Sequence, residues 1–248
     1  MYAAGKTDVG LTRSQNQDSI YVSATPVGPL PNLFIVADGM GGHNAGDEAS
    51  KQAVKLISGY ISDFPAAAFV KPDNYLDLLV NAVQFAGGMV YSQAEEDPAK
   101  KGMGTTVTAC VVRDEKIVIA HIGDSRAYAV SPERITQLTT DHTYVEQLLK
   151  TGRLTPEEAR NHPRRHVLTR VLGAPGHCEV DGIVPDISDA TAVLLCSDGL
   201  SNMLDNEKIM EMVNSLGHVE DRVHAMVNEA NRRGGHDNIS AILIDIKR

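Results

Sequence analysis

The spacing of apolar positions changes several times along the chain, and each change marks an element. Short apolar or β-branched runs at 21–24 and 32–37, separated by a proline/glycine turn over 26–31, predict two strands. Over 44–61 the apolar residues Ala49, Ala53, Leu56, Ile57 and Tyr60 recur at helical spacing. A second helix is expected over 74–95, with Leu76, Leu79, Val80, Val83 and Met89 on one side and Gly87-Gly88 weakening its middle. The pattern then becomes strand-like. Segments 104–113, 116–122, 125–130 and 135–138 read as consecutive antiparallel strands with tight turns such as Asp114-Glu115. Residues 141–170 are polar and charged, with short helical pieces at 144–151 and 156–161, which suggests an insertion over a site rather than core. Strands resume at 180–184 and 190–196. Helices follow at 206–216 and 218–233, the second aligning Val219, Val223, Met226, Val227 and Ala230 and stopping at Gly234-Gly235. Segment 238–246 alternates apolar and polar residues as a closing strand. Helices grouped between runs of antiparallel strands predict sheets packed together with helices outside, and with no linker in view the chain reads as one domain.

Composition narrows the function classes. The chain has 248 residues, 42% of them apolar and 22% charged, as in an ordinary globular protein. Its formal net charge of -9 argues against a nucleic-acid partner, which would call for a basic face. No run reaches transmembrane length, and Met1 is followed by YAAGKTDVG, with neither a basic start nor a long apolar stretch. Membrane insertion is therefore not expected, and a cytoplasmic location is. Cys110, Cys178 and Cys196 form no CxxC pair. Cys110 and Cys196 lie in apolar runs and are expected as buried thiols in a reducing compartment.

Four aspartates sit at strand ends beside glycine or a small turn residue: Asp38 in FIVADGMGG, Asp124 in AHIGDSRAY, Asp198 in VLLCSDGLS and Asp237 in RGGHDNIS. Taken singly, Asp-Gly after a strand is an ordinary turn. Four together point to hard divalent cations such as Mn²⁺ or Mg²⁺, which prefer carboxylate, carbonyl and water oxygens. No HExxH or CxxC motif competes for a softer metal.

The order of these pieces, TDVGLTRSQNQDS, FIVADGMGGHNAGDEAS, GMGTTVTAC, HIGDSRAY, LTTDHTYVEQL, HVLTRVLG, LLCSDGLS and GGHDNISAILI, resembles the metal-dependent protein phosphatase family (PPM, or type 2C), especially its short prokaryotic members. The resemblance spans nearly the whole chain. It implies an α+β fold, a four-layer αββα sandwich of two antiparallel sheets flanked by helices, with a flap over about 141–170. It implies hydrolysis of phosphoserine and phosphothreonine in proteins by a metal-bridged hydroxide attacking phosphorus in line. Asp38 is implied to bridge two cations, Gly39 to lend a carbonyl to one, and Asp198 and Asp237 to complete the other. Asp124 with Asp198 is implied to hold a third. Asp18 and Gln17 are placed around metal-bound water, Gln17 standing where eukaryotic members often carry glutamate. Arg13 is implied to grip the substrate phosphate with its planar fork.

His43 is the candidate proton donor for the leaving alkoxide. Many eukaryotic relatives have histidine directly after Asp-Gly, where this chain has Met40. His236 is a candidate to orient Asp237. His121 reads as a packed strand residue. His162, His166, Arg164, Arg165 and Arg170 form a basic cluster that either pairs with Glu157 and Glu158 or meets phosphorylated protein. Expected partners are phosphorylated proteins, the substrates of a cognate serine/threonine kinase, and the chain is expected to act as a monomer. Two alternatives stay open here: a catalytically silent binding module of the same fold, and a phosphatase for a partner-switching transcription regulator.

Overall fold

The computed structural model describes residues 1–41, 45–65, 74–176 and 178–246. Eleven strands are seen among them. They are β1 (Tyr2–Asp8), β2 (Asp18–Ser23), β3 (Leu33–Met40), β4 (Gly104–Thr105), β5 (Val107–Arg113), β6 (Lys116–Ile122), β7 (Arg126–Val130), β8 (Ile135–Gln137), β9 (Asp181–Ile183), β10 (Ala192–Cys196) and β11 (Ile239–Asp245). The helices are α1 (Ala45–Ser62), α2 (Tyr75–Glu96), α3 (Tyr144–Lys150), α4 (Pro156–Arg160), α5 (Asp198–Ser201), α6 (Asn206–Val213) and α7 (Val219–Arg232).

The strands form two antiparallel sheets. One runs β1-β11-β10-β7-β8, and the other β2-β3-β5-β6-β9 with β4 added on β3. Side-chain alternation sorts the central strands between two cores. In β3, Phe34 and Val36 face the space between the sheets while Leu33, Ile35 and Ala37 face α1 and α2. In β11, Ile242 and Ile244 join the inter-sheet core, and Ile239, Ala241 and Leu243 pack with α6 and α7. Both faces are covered, which is why these strands read as nearly unbroken apolar runs. The result is the expected four-layer αββα sandwich.

Several expectations need correction. The alternation assigned to 238–246 does not hold, because every residue of β11 is buried. The strand 104–113 is interrupted at Thr106, whose backbone turns toward β3. Strand β1 escaped notice: it lies at a sheet edge, pairs only with β11 and is mostly half-buried, so its sequence carries little apolar signal. Helix α2 runs unbroken through Gly87-Gly88. A Cβ on Gly87 would come within 2.9 Å of the Cys178 sulfur, so this glycine serves close packing. Cys110 and Cys196 are buried free thiols, as expected. Among the described residues no helix is long and apolar enough to cross a membrane.

One ion pair lies inside the helix–sheet layer. Arg222 of α7 pairs with Asp245 of β11, both nearly inaccessible, and also donates to the Val213 carbonyl at 2.6 Å. Removing one partner of such a pair leaves a buried charge uncompensated. Arg222→Met is therefore expected to lower unfolding stability by about 3–5 kcal/mol in a urea titration; a loss below about 1 kcal/mol would show that the pair contributes little.

Candidate active site

The site lies at one end of the two sheets, where elements from both converge. Asp38 sits near the end of β3, and its backbone is clamped at both polar atoms. Its N–H donates to Thr106 Oγ1 (3.0 Å), and its carbonyl accepts from Thr106 N (2.8 Å) and Thr105 Oγ1 (2.9 Å). This is the structural work of the GTT run. Asp18, the first residue of β2, is the cross-strand partner of Asp38. Asp124 follows β6, Asp198 opens α5 directly after β10, and Asp237 precedes β11.

Arg13 stands in the loop between β1 and β2, whose backbone is pinned to the far end of the chain. Leu11 N and Thr12 N both donate to the Gly235 carbonyl. The buried Asn238 side chain donates to the carbonyls of Val9 and Gln15 and accepts from Gln17 N. So held, Arg13 reaches Asp237 Oδ2 at 2.8 Å with its side chain still half exposed. That bond raises the affinity of Arg13 for its proton, with the charges of Asp237, Asp38 and Asp198 adding to it.

Crowding of carboxylates dominates the electrostatics. Burial, then the charges of Asp18, Asp198, Asp124 and Asp237, hold Asp38 well above the ordinary carboxylate range. Burial pushes Asp18 up to about 7, against lowering by hydrogen bonds from Ser240 and Ser197. Burial, then the Asp198 and Asp141 charges, pushes Asp124 up to about 8. Asp198 is raised by burial and by Asp237, and lies within reach to share a proton with Asp38. Its other contacts are Asn202 Nδ2 (3.0 Å) and, at 3.9 Å, the imidazole of His166.

These residues suit hard cations. The side chains are all oxygen donors. Two carboxylates close enough to share a proton can share a cation instead. Asp18 Oδ2 accepts from Ser197 Oγ at 2.8 Å, whereas its Oδ1 is buried with no hydrogen-bond partner. Among the described residues no three acidic, histidine or cysteine side chains close around a single point. The carboxylates form an open set of the kind that Mg²⁺ and its like complete with water.

Of the other residues singled out, Gly39 donates its N–H to the Gln17 carbonyl (3.0 Å). The Gln17 side chain lies against Gly46 in the first turn of α1. His236 is exposed, its ring over Gly234, while the Asp237 carboxylate is held by Arg13 and by Asn238 N (2.8 Å). His43 lies outside the described residues. His121 is buried and hydrogen-bonded, as expected, to Thr108 and the Thr140 carbonyl. In the basic cluster, Arg170 pairs with Asp181 and Glu179, Arg164 stacks over Tyr144, and Glu158 caps α4 through Thr155 instead of meeting an arginine. Sequence reading missed Ser197, Asn238, Thr106 and His142. Asn238 had a visible signal, a polar residue at the mouth of an apolar strand.

A family model described as protein phosphatase 2C matches residues 12–243. The serine/threonine phosphatase stp of Listeria innocua is 37% identical over 245 residues, covering 99% of this chain and 96% of that protein. The crystal structure of serine/threonine phosphatase Stp1 from Staphylococcus aureus superposes with a TM-score of 0.91 at 31% identity, over 99% of this chain and 95% of that one. That of the PstP catalytic domain in complex with two manganese ions gives 0.83 at 32% identity, over 100% and 98%.

The raised carboxylates set a pH dependence. From about pH 3.8 up to about 7 for Asp18 and about 8 for Asp124, the folded chain retains protons that an unfolded aspartate has released. The stability of chelator-treated protein therefore falls as pH rises through this window and levels off above it. The buried His121, pushed down to about 4, works in the opposite direction up to about pH 6.5, where the unfolded imidazole still binds a proton and the folded one does not, and it adds little above about pH 7. Cations bind the ionised carboxylates, so Mn²⁺ is expected to raise the melting temperature more at pH 8 than at pH 6.5. Equal shifts at both would contradict the carboxylate assignment.

Proposed function

Because the chain belongs to the protein phosphatase 2C family, we propose that Asp38, Asp198, Asp237 and the carbonyl of Gly39 hold two cations beside an arginine, Arg13, that grips the substrate phosphate. The protein is a metal-dependent serine/threonine protein phosphatase. A silent binding module is not favoured, since the full set of carboxylates is in place. The observation that carries the residue assignment is the 2.8 Å contact of Arg13 with Asp237 inside the crowded carboxylate group.

Bound cations supply positive charge and a water of lowered pKa. The chain's own residues do the rest. The Asp38 backbone is hydrogen-bonded at both its N–H and its carbonyl, which fixes the point from which its carboxylate enters the site. The Arg13 guanidinium offers paired N–H donors, and a phosphate dianion can use two of them at once. Asp18, held by Ser197, keeps one oxygen free for a water in the site. His43 remains the proposed proton donor, whereas His236, exposed with its ring over Gly234, makes no contact among the described residues that would orient Asp237. Asp124 with Asp198 is proposed to hold a third, weaker cation. Mn²⁺ and Mg²⁺ both suit these oxygens. Segment 141–170 is proposed as a flap for substrate handling, since His166 in it approaches Asp198. Substrates would be proteins phosphorylated by a cognate kinase, with the enzyme acting as a cytoplasmic monomer.

The direct assay uses a phosphothreonine peptide with Mn²⁺. Chelator is expected to abolish turnover, and Asp38→Asn to lower kcat by at least about 1,000-fold. Arg13→Ala is expected to lower kcat/KM by about 100-fold, with Arg13→Lys recovering only part of the loss. Turnover surviving both chelator and Asp38→Asn would refute the assignment.

A further inference from the structure

We infer that His142 is a positioning residue that fixes the turn carrying Asp124 and ties it to the stem of the 141–170 insertion. The turn leaves β6 at Gly123, whose φ of +108° lies in the left-handed region. A Cβ there would come within 2.5 Å of the Thr106 side chain. No strand ladder holds Gly123, and His142 grips it from two sides. The His142 backbone N–H donates to the Gly123 carbonyl at 2.7 Å, and Gly123 N–H donates to the ring Nδ1 at 3.1 Å.

That second bond sets the tautomer. With Nδ1 accepting, the ring proton belongs on Nε2, where it donates to Asp181 Oδ2 at 3.1 Å. Arg170 Nη1 holds the other Asp181 oxygen at 2.8 Å. The His142 carbonyl accepts from Thr169 N (2.8 Å), and Tyr144 N donates to the Val167 carbonyl (2.8 Å), so His142 also belongs to the two chains that close the stem. The ring is buried and lies 4.8 Å from that of His121, leaving it little room to turn.

One imidazole thus joins the backbone before Asp124, strand β9 through Asp181, and the base of the insertion. The opposite side of the turn is fixed to Asp38, through Ser125 Oγ to Thr106 Oγ1 (2.7 Å) and on to Asp38 N (3.0 Å). The position of the Asp124 carboxylate is therefore set by Asp38 on one side and by the stem on the other. The inference rests on the reading of Asp124 as a ligand of the weaker cation.

Calorimetric titration of Mn²⁺ into the chelator-treated full chain tests this without turnover. Asp124→Asn checks the underlying reading and is expected to remove the weaker class of sites. His142→Asn keeps an oxygen near the Nδ1 position for Gly123. His142→Gln reaches toward Asp181 and leaves the Gly123 N–H without its acceptor. His142→Gln is expected to weaken the weaker class about tenfold while the tighter class stays within about twofold, and His142→Asn to stay within about threefold of wild type. Half-saturating Mn²⁺ for peptide hydrolysis should move in parallel, with KM for the peptide unchanged. If Asp124→Asn removes the weak class while His142→Gln binds as wild type, the inference is overturned and the Asp124 reading stands. If Asp124→Asn leaves the isotherm unchanged, that reading fails and the inference with it. Should the His142 variants not fold, Asp181→Ala at a half-buried position is expected to weaken the same class about threefold at an unchanged melting temperature, and no change would overturn the inference.

Discussion

Carboxylates crowded at one end of two packed sheets are the constraint on which the rest of this structure depends. Asp18 and Asp38 oppose each other across β2 and β3, where like charges repel. Asp198 and Asp237 come from the other sheet to the same place. Raising Asp18 from an ordinary aspartate to about 7 corresponds to roughly 4 kcal/mol against its ionisation in the fold. A typical domain has only about 5–15 kcal/mol of stability in total, so the penalty is a large fraction of what the protein has. Protons or cations can offset it, and cations held by these carboxylates would couple metal binding to the stability of the fold.

The scaffold keeps the carboxylates together despite that repulsion. The inter-sheet core of Phe34, Val36, Cys110, Val193, Leu195, Ile242 and Ile244 joins the sheets on which they sit. Hydrogen bonds set each one locally: Thr105 and Thr106 for the Asp38 backbone, Ser197 for Asp18, Asn238 N for Asp237 and Asn202 for Asp198. Arg13 is the reverse case, a half-exposed cation on a loop whose backbone is nevertheless pinned to Gly235 and Asn238. A fixed base with an accessible guanidinium suits a group that must meet a phosphate arriving from solvent.

Much of the fold was legible in the chain because the central strands are nearly unbroken apolar runs and the amphipathic helices carry a clear apolar period. The four aspartates were legible because each stands at an abrupt end of an apolar run. Strand β1 was not, since an edge strand of small and polar residues looks like a loop. Helix α5 was missed because four residues carry no period. The positions of Thr106, Ser197 and His142 were illegible for a different reason. Their partners are remote in sequence or are backbone atoms, so the contacts exist only after folding. Gly87 reads locally as a weak point in a helix, and only the approach of Cys178 shows why it is tolerated. The basic residues of the insertion could be read as self-paired with Glu157 and Glu158, whereas the structure engages Glu158 in capping and turns His166 toward Asp198.

A cation site and a merely strained corner of the fold differ in what these aspartates do when Mn²⁺ is supplied. Anomalous diffraction from a crystal grown with Mn²⁺ tests it most directly. Two strong peaks are expected about 3.5–4 Å apart, both in contact with the Asp38 carboxylate and one also with Asp198 and Asp237. Strong peaks elsewhere on the protein, with Asp38 free of metal at saturating Mn²⁺, would contradict it.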